Sequence, residues 1–397
     1  MRTSILAALV LIMSIGIAVS GSQTVTAKHG KSILNTYGEK NDLAMLASVE
    51  QQTNVTAHIG DLALSGNDVM VVKDARFELN GSLLITDNST LILDNAVWLP
   101  ILSPHGNSYT MKNSSQLILR NNSQFLSGGI LREALYIYDN ALINLTDSSM
   151  EIRVYGWPSS IVQMFNSTAY VALDSDARGR SSLLMVNSAG TVGVYGNTEI
   201  VNSTLTDLAV SLDARVVDSS IGSLVVRGGS SPNAGYFGPY VKCYLINSTY
   251  GSLDKSNFYS GAIYVEWYLT VTVESEGQPV ESANVQVYYA HDGSLAAQQT
   301  TPSSGQVQFE LPEWEITEIG SRYLGDYTVK TSYGAAQAEA NVTLTASKDM
   351  TVELPKETEP FPTALVIAAI IIATGAVAIT LGTIVYRRKK LVSKHSA

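Results

Sequence analysis

The sequence predicts an all-β chain: a parallel β-helix, then a seven-stranded β-sandwich, then one C-terminal transmembrane helix. Three observations predict it. A pattern of two short amphipathic strands recurs at a 26-residue step, the texture changes at Ala262 to long strict alternation, and Ala364 to Tyr386 carries no charged residue.

The elements follow in chain order. Residues 1–22, MRTSILAALVLIMSIGIAVSGS, place one Arg before an apolar run and small residues at Ala18 and Ser20, the pattern of a secretory leader. Residues 23–55 are expected to cap the solenoid, with a helix at 41–51 (NDLAMLASVEQ) closing an end that would otherwise expose unpaired backbone.

Residues 56–261 carry the repeat. SLLITDNSTLILDN, SYTMKNSSQLILRN, ALYIYDNALINLTD and SIVQMFNSTAYVAL stand 26 residues apart. Their columns read Leu83, Tyr109, Leu135, Ile161, then Ile85, Met111, Ile137, Gln163. Leu91, Leu117, Ile143, Ala169 and Leu93, Leu119, Leu145, Val171 follow after a turn at Asn88, Ser114, Asn140 and Asn166. Alternation inside each copy is the period of a strand with one buried face. A copy this short cannot bury that face alone, so stacking copies at about 4.8 Å gives a continuous core. Downstream the step shortens to about 16 residues, through Asn187, Asn202 and Asp218, before GGSSPNAGYFGPY extrudes as a loop.

Residues 262–354 alternate strictly and turn at Gly277-Gln278-Pro279 and Asp292-Gly293, giving about seven strands. Residues 355–363, PKETEPFPT, form a stalk. Residues 364–386 would rise about 34 Å as a helix, enough for a hydrocarbon core of about 30 Å. The basic tail, 387–397, opens with Arg387, Arg388, Lys389 and Lys390, which orients the C-terminus to the cytoplasm. A single-pass plasma-membrane protein with an extracellular N-terminus and ectodomain results.

Composition narrows the partners. Net charge is −10 from 25 basic and 35 acidic residues. Setting aside Arg2 and five basic residues of the tail leaves 19 against 35, near −16, which excludes nucleic acid as an outer partner. Cys243 is the one cysteine and reads as a small buried apolar residue, so no internal disulfide supports the fold. Sequons occur at Asn54, Asn80, Asn88, Asn113, Asn121, Asn144, Asn166, Asn202, Asn247 and Asn341, where 22 Asn would give roughly four by chance. N-glycosylation accounts for the excess, and so does the preference of turns for Asn-Ser.

A search for chemistry yields one charged cluster. The 26-residue register stacks Glu151 and Arg153 beside Ala177 and Gly179, next to Asp174, Asp176, Arg178 and Arg180. Clustered carboxylates with a cation serve calcium-dependent lyases and hydrolases, so Asp174, Asp176, Arg178, Glu151 and Arg153 are the catalytic candidates. A solvated turn explains them more simply, and Asp174-Ser175-Asp176 is only a fragment of a calcium loop. No cofactor is expected; calcium is the one ion for which these carboxylates leave room. The five His are scattered and lack zinc spacing. Tyr155 and Trp157 on the same edge, and Tyr236 and Tyr240 in the extruded loop, are the binding candidates, since such rings stack on sugars.

The stretches GQPVESANVQVY, DGSL, SGQVQFELP and YTVKTSYG resemble the carboxypeptidase-regulatory-like, transthyretin-like family of Ig-like β-sandwiches. The resemblance spans about 90 residues of 262–354, in turn and core positions. It implies a spacer or interaction module without chemistry. WEITEIGSRYL departs from it by lengthening the loop before the last strands. As an architecture, coiled repeat, module, stalk, span and basic tail together resemble archaeal membrane-anchored surface proteins with right-handed parallel β-helix ectodomains. The expected function is structural or adhesive, binding glycans or neighbouring surface proteins. The alternative is an anchored polysaccharide lyase or glycoside hydrolase working on the β-helix flank.

Overall fold

The computed structural model describes residues 54–101, 107–127, 134–157, 159–173, 181–194, 196–228 and 240–356. The expected leader, the helix at 41–51, the span at 364–386 and the basic tail lie outside them. Among the described residues every regular element is a strand, and no helix is long and apolar enough to cross a membrane.

Strands pair in parallel with strands one repeat away, as a coiling chain requires. The first ladder runs from Val55–Ile59 through Arg76–Asn80 and Val97–Pro100 to Thr249–Asp254. A second, shorter ladder joins Leu62–Leu64, Leu83–Ile85, Tyr109–Met111 and Ala134–Ile137. The third runs from Val69–Lys73 through Thr90–Asp94 and Gln116–Arg120 to Gly261–Ser275. Ten coils follow one another in the first ladder, so this part rises about 43 Å at strand spacing. Long parallel sheets built this way are consistent with a β-helix.

Three of the four expected repeat copies stack as read: Leu83 on Tyr109 on Leu135, and Leu91 on Leu117 on Ile143. The fourth does not. Ile161 pairs with Leu142 in the third ladder, and Val154 takes the place beside Leu135. The cause is the eight-residue strand Ser149–Gly156, which spans the first two ladders at once and removes a corner. From there a coil closes in 19 residues at the turn Ser148 to Ser167, later in 15 from Ser188 to Ser203.

The corner between the third and first ladders is the same in nearly every coil. Asp74, Asn95, Asp147, Asn166, Asn187, Asn202, Asp218 and Asn247 all have left-handed φ there, between 46° and 49° or at 50° for Asp218. Asn and Asp tolerate that region better than other residues with a side chain. The next residue, Ser148, Ser167, Ser188, Ser203, Ser219 or Ser248, is buried. From Ser167 to Ser248 each such hydroxyl accepts the amide N–H of the corresponding Ser one coil earlier, as from Ser167 to Ser188 at 3.0 Å, and donates to the carbonyl two residues behind it. The turn thus satisfies a buried donor in each of the coils from Ser148 to Ser219.

Leu, Ile, Val and Met fill the interior, with one aromatic stack in which Trp98 lies between Phe77 (4.5 Å) and Phe125 (5.7 Å). Cys243 is among these side chains, and burial pushes its thiol up to about 12.

Contacts divide the described chain into two compact units: one holds the residues up to Tyr268 with Glu310–Gly325 and Leu344–Ser347, the other Leu269–Phe309, Asp326–Thr343 and the residues from Lys348. WEITEIGSRYL, expected as a longer loop, is a hairpin instead: Trp314 pairs with Tyr323 and Ile316 with Ser321. It belongs to the coiled unit, where Trp267 Nε1 donates to Glu313 (2.6 Å) and Tyr264 to Glu315 (3.2 Å). In the second unit Leu295–Thr300, Asn284–Tyr289, Asp326–Tyr333 and Ala336–Thr343 form an antiparallel sheet. The rest of Gly261–Ser275 pairs there with Lys348–Glu353. Val285, Val287, Val329 and Val342 are buried on one sheet, Val271, Val273 and Val352 on the other.

Candidate functional site

Alternation along Ser149–Gly156 decides what this face shows. Met150, Ile152 and Val154 are buried, so Glu151, Arg153 and Tyr155 point outward. One coil earlier Leu135 and Ile137 point in, and Tyr136 and Tyr138 point out. Because Tyr136 and Tyr155 are register partners, their rings meet.

The result is a block of four rings across two coils. Tyr136 stacks on Tyr155 with centroids 5.8 Å apart, Tyr138 stacks on Trp157 at 4.8 Å, and Tyr136 also touches Trp157 at 5.6 Å. These separations are those of favourable aromatic pairs. On the upstream side Lys112 Nζ covers the Tyr138 ring at 5.7 Å. On the downstream side the register partners of Tyr155 are Ala172, then Gly193, then Ala209. A Cβ built on Gly193 would meet only the Ala209 methyl, at 4.0 Å. The stack therefore ends on a step: the outer face of Tyr155 looks over a floor of small residues. Thr191 flanks the floor, as does Tyr170, whose ring carries the Arg153 guanidinium 5.1 Å from its centroid.

Of the expected charged cluster, Glu151 and Arg153 are among the described residues. They lie in a register irregularity between Met150 and Val154, which sets them opposite Tyr170. Glu151 accepts a hydrogen bond from the Ser127 amide at 3.3 Å. Asp174, Asp176 and Arg178 lie outside the described residues, as does Tyr236. Tyr240 is exposed. The structure brings the expected binding candidates Tyr155 and Trp157 together with Tyr136, Tyr138 and Tyr170, which the sequence reading did not single out although ALYIYD already alternates buried and outward positions.

A carboxylate of raised pKa sits elsewhere, on the last coil. Burial, reinforced by the charge of Glu310 and partly offset by Arg215, pushes Glu266 up to about 7. Glu310 is itself paired with Arg215 at 2.8 Å. At Asp94 burial works against the charge. Hydrogen bonds from Asn121 and Arg120, with the Arg120 charge, more than offset it and hold the carboxyl below its ordinary value. Among the described residues no group of His, Cys, Asp or Glu is arranged to hold a metal ion.

No protein-family model and no curated protein matches the chain. Solved structures that match in part include the shaft pilin SpaA from Lactobacillus rhamnosus GG, at 16% identity and a TM-score of 0.19. A single-substitution variant of that pilin aligns at 18% and a double-substitution variant at 16%, both with a TM-score of 0.19. Each alignment covers 23% of this chain and 47% to 49% of the pilin, so the chain spans about half the pilin's length. A likeness of that extent carries no argument about fold or function.

Proposed function

We propose that this chain is an anchored cell-surface protein whose parallel β-helix holds an outward aromatic platform for glycans. One observation carries the reading: the Tyr136, Tyr138, Tyr155 and Trp157 stack faces solvent and stops at a step over Ala172 and Gly193. Water pays little to leave an aromatic face, and the apolar face of a pyranose completes such a stack while its hydroxyls remain wet. Thr191 and Arg153 stand at the rim to take those hydroxyls or an acidic substituent.

The rest of the proposal comes from the sequence. The leader at 1–22, the span at 364–386 and the basic tail support export and anchoring in an archaeal plasma membrane. The second unit, with two sheets each burying one face, is what a β-sandwich spacer of the transthyretin-like kind requires. Its role is structural. The ligand is a glycan of a neighbouring cell or surface protein, and the contact is adhesive.

The test is a glycan-array screen of the purified chain, with and without calcium, run beside a polysaccharide-degradation assay. Binding without product, lost in Tyr155→Ala and Trp157→Ala, supports the reading. Release of unsaturated or reducing ends would replace it with a lyase or hydrolase.

A further inference from the structure

Ten sequons look equivalent in the sequence, and the structure separates them into two kinds. At the repeated corner, Asn166 Nδ2 donates to Asp147 at 3.0 Å, Asn202 to Asn187 at 2.7 Å and Asn247 to Asp218 at 2.7 Å. Asn95, which heads no sequon, makes the same bond to Asp74 at 2.9 Å. Asp147 and Asp218 fill the corner equally well. The corner therefore selects a residue that accepts left-handed φ and, from Asp147 to Asn247, a buried Ser after it. Asn-Ser-Thr at 166, 202 and 247 meets that demand without any reference to sugar. Three further sequon amides are also engaged: Asn121 donates to Asp94 (2.7 Å), Asn113 to Asp87 (3.1 Å) and Asn88 to Asn67 (3.4 Å).

The other four differ in how the amide is used: no hydrogen bond from Nδ2 to another described residue engages them, whereas exposure is common to both kinds. Asn54, Asn80, Asn144 and Asn341 are followed by Val, Gly, Leu and Val, so no buried Ser explains them. None has left-handed φ. Asn54, Asn80 and Asn341 are exposed, and Asn144 points outward from Leu142–Thr146 between buried Ile143 and Leu145. The side chains of Asn144 and Asn341 take part as acceptors, from Thr146 and Thr328, which leaves Nδ2 on the solvent side.

We infer that Asn54, Asn80, Asn144 and Asn341 are the N-glycosylation sites of this chain, and that its other six sequons are structural turn elements that carry no glycan. The donor class is an oligosaccharide activated on a lipid-linked phosphate. The bond from the sugar C1 to the asparagine Nδ2 forms, the bond from C1 to the phosphate oxygen breaks, Nδ2 gives up one proton, and the lipid phosphate leaves. At the corner the transferase would have to withdraw an amide that already spans two coils; at the four open sites the amide is free to enter. The inference rests on the proposed surface location.

The experiment is site-resolved glycopeptide mass spectrometry of the full chain, isolated from the cells that make it, beside protease shaving of intact cells. Occupancy at the four open sites at least tenfold above that at Asn166, Asn202 and Asn247 is the expected result. Equal or greater occupancy at the corner would overturn the inference, as would bare asparagines on a chain that shaving finds outside. A chain that shaving cannot reach would overturn the surface location itself. Replacing the corner residue provides a second arm: Asn202→Asp should leave the total glycan mass unchanged, while Asn144→Gln removes one glycan.

Discussion

The amide N–H of Ser188 donates to the hydroxyl of Ser203 across 3.1 Å, and that hydroxyl in turn donates to the carbonyl of Val201 at 2.8 Å. One side chain thus satisfies a buried donor in the coil before it and a carbonyl in its own. Ser203→Ala leaves the Ser188 amide buried with no acceptor, so we expect a loss of about 1–3 kcal/mol. Urea denaturation of the purified chain checks it; a midpoint equal to that of the parent would show that water replaces the hydroxyl.

Trp98 lies wholly buried between two phenyl rings, and its Nε1–H has no hydrogen-bond partner among the described residues. Trp98→Ala removes the ring and leaves a cavity, costing about 3–5 kcal/mol. Trp98→Phe keeps a ring in the stack and removes the unpartnered donor, so its cost should be less than half as large. Thermal unfolding of the two variants decides it, and equal losses would refute the role assigned to the indole N–H.

For Glu266 the sign follows from its direction of shift. The folded carboxyl holds its proton up to about pH 7, whereas its ordinary value is 4.5, so between these the folded state binds more protons than the unfolded one. Stability is fully present below the ordinary value and falls as pH rises through the folded one, by on the order of 3 kcal/mol. Glu266→Gln should abolish that slope between pH 5 and 8 and be more stable than the parent at pH 8. The thermal midpoint at the two pH values is the measurement, and an unchanged slope in the variant would assign the dependence to other groups.

Ala172→Tyr should extend the aromatic stack by one ring and fill the step beside Tyr155. The expected outcome is a loss of glycan binding of at least tenfold with the thermal midpoint retained. Gly193→Ala adds a methyl that meets only the Ala209 methyl, at 4.0 Å, so binding and stability should both survive it. Loss of binding in Gly193→Ala with none in Ala172→Tyr would move the ligand away from Tyr155.

Much of this was legible in the chain because burial alternates where hydropathy alternates. Leu83, Tyr109 and Leu135 could be aligned by eye, and the Asn187, Asn202 and Asp218 spacing located the shorter coils. The fourth copy misled because Ile161 and Val154 are equally apolar, and nothing local reveals that Ser149–Gly156 spans two ladders. WEITEIGSRYL hid its hairpin because its partners, Trp267 and Tyr264, stand about fifty residues away. The aromatic block was half legible: parity exposes each tyrosine, but only the register brings Tyr136 onto Tyr155. The sequon excess has two candidate causes in the sequence, and the hydrogen bonds that engage Asn166, Asn202 and Asn247 at the corner were not legible there.

The recurring corner carries an evolutionary consequence. Its Ser-to-Ser bonds run unbroken from one coil to the next between Ser148 and Ser248, and the same donor meets the same acceptor whichever of these coils comes next. A coil duplicated or deleted in whole would find the same acceptors waiting on both sides. The gene can therefore lengthen or shorten its product in steps of about 4.8 Å without redesigning a junction. Coils of 15 and 29 residues already coexist on one ladder, so reach and decoration can vary independently. Relatives should differ by whole coils more readily than by fractions of one.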